Sequence, residues 1–304
     1  MPPWWLWIPI TIAAAAAQTL RNATQRHLSS DLGTLGATLV RFLYGLPFAA
    51  LWLLAVSRFG DYDFPALDRT FGGWLVLGAF SQIAGTALLL RTMREQNFTL
   101  GVAYSKSEVM QVAVFGFVFL GDPLASMTVA AVVLGTLGVM LLTPVDRRHP
   151  IRTLIGGLAT RPALLGLASG GSFALSAVGY RGAALALDAP FLIAAAVTLL
   201  GAQLVQTTVM SVFLRAYRPG LLTRILRAWR TSLLAGFSGA TASAGWFTAM
   251  AIEPVAHVRT LALVELLFSY VISRRIFGEQ FGKLQIVGLA VLIAGLFLVT
   301  LGPR

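Results

Sequence analysis

The sequence predicts an all-α integral membrane protein of ten transmembrane helices, arranged as two inverted five-helix repeats. Three observations carry this. The 304-residue chain is 57% hydrophobic and 12% charged, with a mean hydropathy of +0.78, which does not describe a water-soluble domain. Apolar segments of about 20 residues, enough to cross a hydrocarbon core of about 30 Å, recur along the chain. The chain also repeats itself without gaps at an offset of 157 residues, the separation of Glu108 from Glu265.

Taken in order, the apolar segments lie at 6–24, 33–56, 71–91, 98–120, 124–143, 162–181, 190–213, 232–250, 257–277 and 283–301. Internal glycines and other small residues suit close helix packing in a bilayer, and the alternation of a β-barrel is absent. The N-terminal MPPWWLWIPI has no basic stretch of the kind that precedes a cleaved leader, so the first span is expected to remain, with Trp4, Trp5 and Trp7 at the interface. Loop 57–70 carries three acids and two arginines, whereas loop 214–230 carries five arginines and no acid. Leu222, Ile225, Leu226 and Trp229 recur at helical spacing in that second loop, which predicts a short amphipathic helix on anionic headgroups. The chain has no cysteine and only three histidines, at 27, 149 and 257. Neither a metal centre nor a cofactor is expected.

The offset pairs EVMQVAVFGFVFLGD (108–122) with ELLFSYVISRRIFGE (265–279), each opening on an acid and closing on Gly-acid. It divides the chain into repeats at 1–147 and 158–304. Five spans per repeat is an odd number, so the second copy lies upside down relative to the first. That is the architecture of many secondary transporters, which bind substrate between the halves near the bilayer midplane. The face holding loop 214–230 collects most of the loop arginines and lysines. By the positive-inside rule it is cytoplasmic, with both termini outside.

The two five-helix copies, the acid-to-Gly-acid fourth helices and the Gly-rich fifth helices VVLGTLGVMLL (132–142) and VLIAGLFLVTL (291–301) resemble the drug/metabolite transporter superfamily, EamA-type. The resemblance spans essentially the whole chain. It implies a secondary transporter of the inner membrane and leaves the substrate open, since such proteins move amino acids, sugars, nucleotide-linked compounds and drugs. Members usually keep both termini in the cytoplasm, opposite to the orientation the charges here indicate.

Polar residues within the spans are the candidate site. Gln18, Arg21 and Gln25 share one face of the first helix with Thr11. Arg26 and His27 lie near its end, where they reach headgroups. Arg21 is deeper, and a charge at that depth must face protein or water. Tyr104, Glu108, Gln111 and Phe115 share a face of the fourth helix, with Lys106 expected to point elsewhere. Glu265 is the symmetry mate of Glu108 and has fewer polar neighbours on its own helix, which makes it the acid expected to titrate if either does. Both acids, with Lys106, are read as ion-coupling groups or as structural ion pairs. Arg41 in the second span has Thr198 as its counterpart, so it is an asymmetry that the fold does not require. Trp246 is a candidate stacking wall. Gln18, Arg21, Gln25, Arg41, Tyr104, Gln111 and Trp246 are therefore the expected substrate contacts. The cationic balance of Arg21, Arg41 and Lys106 points to an anionic or zwitterionic small molecule.

The reading is a transporter, most simply an exporter of a small polar or amphipathic metabolite by alternating access, acting as monomer or homodimer with no nucleic-acid partner. Its rivals are an importer, a lipid flippase subunit and a non-transporting membrane partner. An enzyme is not expected, because neither G-x-S-x-G nor H-E-x-x-H occurs, and the chain carries no P-loop for ATP.

Overall fold

The computed structural model describes residues 3–95, 102, 105–122 and 161–276, with scattered positions in 126–137 and 286–295. Among the described residues all regular structure is helical: α1 (Trp7–Leu43), α2 (Leu46–Gly60), α3 (Arg69–Glu95), α4 (Glu108–Leu120), α5 (Arg161–Ala186), α6 (Phe191–Tyr217), α7 (Leu221–Arg227), α8 (Trp229–Ile252), α9 (Val255–Leu261), a 3-10 turn (Ala262–Val264) and α10 (Glu265–Ile276). Among the described residues four helical runs are long and apolar enough to cross a membrane: Trp7–Gly60, Arg69–Glu95, Phe191–Tyr217 and Val255–Ile272. The first of these contains both of the first two expected spans. The fifth and tenth expected spans fall largely outside the described residues.

The helix starting at Trp7 does not stop at residue 24. It runs on to Gly33, where φ 69° and ψ 173° bend the chain sharply in a conformation open essentially to glycine alone. The reason lies in packing. Asn22, Thr24, Gln25, Leu28, Ser29 and Leu32 are all buried, so this polar stretch faces protein, and a helix satisfies its own backbone whatever its side chains are. Gln25 Nε2 reaches across the bend to the carbonyl of Ala37 at 2.8 Å, tying the two limbs together.

Small residues set the closest helix approaches. A Cβ on Gly179 would lie 2.8 Å from the Gly78 backbone, and one on Gly78 would lie 2.7 Å from the Tyr180 ring. That contact brings α3 and α5 nearly backbone to backbone. Between α1 and α8, Gly245 is held against Ala14 in the same way. The outer faces carry exposed Leu51, Leu54, Phe80, Val114, Phe117 and Phe237, a distribution that suits a lipid solvent.

Trp4 and Trp5 are exposed as expected of interfacial residues, but Trp7 is buried, its ring 6.4 Å from that of His257. The amphipathic segment of loop 214–230 forms α7. Ile225 anchors it inside, while Leu226 and Trp229 face outward.

Candidate functional site

Eight segments bring mostly polar side chains to one place in the middle of the bundle. From α1 come Gln18, Arg21, Asn22 and Arg41, from α3 Gln82, and from the turn before α4 Ser105 and Lys106. Glu108 opens α4, α5 supplies Phe173 and Tyr180, α8 supplies Trp246 and Phe247, and Arg259 and Glu265 come from α9 and α10. The space left between them is ≈ 20 Å³, room for about one water. The site is closed in this conformation, and an organic molecule enters only if helices separate.

Glu265 organises one side of it. Its carboxylate is fully buried and accepts from Gln18 Nε2 at 2.8 Å, from Asn22 Nδ2 at 2.8 Å and from Lys106 Nζ. Gln18 is held in turn by Trp246, whose indole Nε1 donates to its Oε1 at 2.9 Å. Glu108 faces Arg259 across 3.1 Å, and the Arg259 guanidinium lies 5.1 Å from the centre of the Trp246 ring. Both acids stand in the first turn of their helices, where the helix dipole favours negative charge.

Arg21 and Arg41 are different. Each is only 2% exposed, yet no carboxylate pairs with either among the described residues. Arg21 donates from one terminal nitrogen to Asn22 Oδ1 at 2.7 Å, and its Nε and other terminal nitrogen find no partner. Arg41 donates to Thr86 Oγ1 at 3.0 Å, and its Nε is likewise unpartnered. The two converge on Gly239, where an added Cβ would lie 3.3 Å from both Arg21 Cδ and Arg41 Cγ. Four cations (Arg21, Arg41, Lys106, Arg259) thus meet two acids (Glu108, Glu265) around the cavity. Beside them a neutral network closes the wall. Tyr180 Oη donates to Gln82 Oε1 at 2.9 Å, and Gln206 Nε2 reaches both Tyr180 Oη and Gln82 Oε1 at 2.8 Å.

Of the residues expected from sequence, the structure gathers Gln18, Arg21, Arg41, Lys106, Glu108, Trp246 and Glu265 at this cavity. Two stand apart. Gln25 serves the α1 bend, and Gln111 bonds weakly to Ser107 Oγ at 3.4 Å beside Gly171. Tyr104 lies outside the described residues. Lys106 does not point away from the cavity, because Lys106 and Ser107 form a turn instead of continuing a helix, so 3.6-residue spacing does not apply there. Glu265 has the richer polar shell, supplied by α1 and Lys106 and invisible on its own helix. Asn22, Gln82, Tyr180 and Arg259 complete the site. Asn22 was legible as the i+4 neighbour of Gln18, whereas Gln82, Tyr180 and Arg259 carried no signal separating them from packing or pairing residues.

A bundle of apolar helices around a buried, charged cavity defines a multi-pass membrane protein. Residues 5–143 match the model of the EamA-like transporter family, and that family suggests a membrane transporter and not an enzyme. No curated protein matches the chain. Among solved structures 27 chains match. One crystal structure is 14% identical with a TM-score of 0.63, and the match covers 96% of each chain, a likeness of fold along the whole length.

Proposed function

We propose that the chain is a secondary transporter that exports a small anionic or zwitterionic metabolite across the inner membrane. In this reading two inverted five-helix repeats, 1–147 and 158–304, rock about the central cavity. The observation that carries it is the burial of Arg21 and Arg41 with no carboxylate in ion-pair contact among the described residues. Desolvating a guanidinium costs several kcal/mol unless an anion compensates it, and here both protein acids are engaged by Lys106 and Arg259. A substrate carboxylate or phosphate is the missing partner.

The helix boundaries support the repeat. Shifted by 157 residues, α6 (191–217) falls on the stretch 34–60, from the Gly33 bend to the end of α2, and the end of α8 at 252 falls on the end of α3 at 95. Glu108 and Glu265 each open a helix directly after a tight turn. The charge pattern of the loops supports termini on the outer face.

The test is counterflow in reconstituted vesicles, guided by a thermal-shift screen of purified protein against metabolites, since a ligand of the folded state raises apparent stability. Anionic or zwitterionic ligands are expected to stabilise the protein and to exchange across the vesicle membrane. Stabilisation by cations alone, or by no water-soluble ligand at all, would overturn the proposal.

A further inference from the structure

Away from the cavity, at one end of the bundle, a groove of ≈ 740 Å³ opens between the α1 bend, the end of α3 and the turn joining α6 to α7. Arg94, Arg218 and Arg224 line it together with Asp31, an excess of two positive charges. Arg224 donates to the carbonyl of Asp31, which fixes the α6–α7 turn against the bend. The groove shares Thr34, Leu35 and Arg94 with a second recess of ≈ 550 Å³ that runs past Ala87 and Leu88 along α3. In that recess Arg91 is neutralised by Glu95 at 3.1 Å. The charged mouth therefore continues into a recess of lower net charge along α3, where Glu95 offsets Arg91. Exposed Tyr217 lines the mouth, a residue that suits the level of the headgroups.

We propose that this groove is a binding site for an anionic phospholipid, with the headgroup phosphate among Arg94, Arg218 and Arg224 and an acyl chain along α3. The shape argues for a lipid over a free phosphate, because the mouth leads into a channel beside Ala87 and Leu88 that a small anion leaves empty. The bound lipid would bridge the α1 bend and the α6–α7 turn, segments about 190 residues apart in the chain. The inference does not depend on the transport proposal.

Native mass spectrometry of delipidated protein in detergent tests it, with phosphatidylglycerol, phosphatidylcholine and soluble glycerol phosphate as probes. Two net charges, at about 1 kcal/mol each near a membrane surface, give a preference on the order of 30-fold for phosphatidylglycerol over phosphatidylcholine. The preference is expected to be lost in Arg218→Gln/Arg224→Gln and kept in Arg58→Gln, in the last turn of α2. If the double variant does not fold, Arg94→Gln and Arg218→Gln separately carry the same comparison. Equal retention of the two lipids, or a preference that survives the groove variants, would overturn the site. Retention of glycerol phosphate as strong as that of the lipid would overturn the lipid assignment.

Discussion

Lys106 is ion-paired to Glu265 from 159 residues away, with only 5% and 1% of the two side chains exposed. Removing one partner of a buried pair leaves the other uncompensated and typically costs about 3–5 kcal/mol. Lys106→Met and Glu265→Gln are each expected to lower the melting temperature in detergent. The double variant should melt above the sum of the two losses, because neither charge is then orphaned. Strict additivity would mean that the pair contributes nothing.

Arg21 and Arg41 give the opposite expectation. Arg21→Gln and Arg41→Gln orphan no acid, so both proteins should melt near the parent temperature or above it. Transport of anions should fall at least about tenfold, the effect of losing a charged hydrogen bond of about 1.5–3 kcal/mol. Neutral analogues of the substrate should be affected less. A parental transport rate in both variants would remove these arginines from the binding site.

Gly239 leaves room for both guanidinium stems. Gly239→Ala is expected to shift them by a few tenths of an ångström and weaken substrate binding. Gly239→Leu should cost about 1–3 kcal/mol of stability through overpacking and block transport. Unchanged binding in Gly239→Leu would place the substrate elsewhere.

The bend in α1 rests on one residue. Gly33→Ala forces a side chain into a left-handed conformation and is expected to cost about 1–3 kcal/mol, read as a lower melting temperature with the cavity residues intact. Indistinguishable melting would indicate that the bend relaxes freely.

Orientation has its own check. A reporter fused after Arg304 that works only outside the cytoplasm should be active. Activity from a cytoplasm-only reporter at that position would return the chain to the arrangement usual in the EamA-type resemblance.

The membrane-length runs Trp7–Gly60, Arg69–Glu95, Phe191–Tyr217 and Val255–Ile272 were legible because a bilayer imposes length and apolarity on each helix separately, and both are written locally. The seam between the first two spans was not, since the stretch after Arg21 reads as a polar exit while Asn22, Thr24, Gln25, Leu28, Ser29 and Leu32 are in fact buried. The site was half legible for the same reason. Arg21, Arg41, Glu108 and Glu265 stand out as charges in apolar surroundings, but who pairs with whom is a property of helix packing. Gln18 and Asn22 of α1 complete the shell of an acid more than 240 residues further on, and no spacing rule reaches that far. Lys106 was misdirected because a turn interrupts the helical period.

The charge imbalance at the centre also has an electrical side. A field across a membrane acts on a carrier's fixed charges with about 2.3 kcal/mol per elementary charge per 100 mV for full passage. With four cations against two acids lining the cavity, the alternation proposed above would move some fraction of two charges through that field when the site is empty and less when an anion fills it. Voltage would then bias which side the vacant site faces, and loaded and unloaded transitions should give currents of different size.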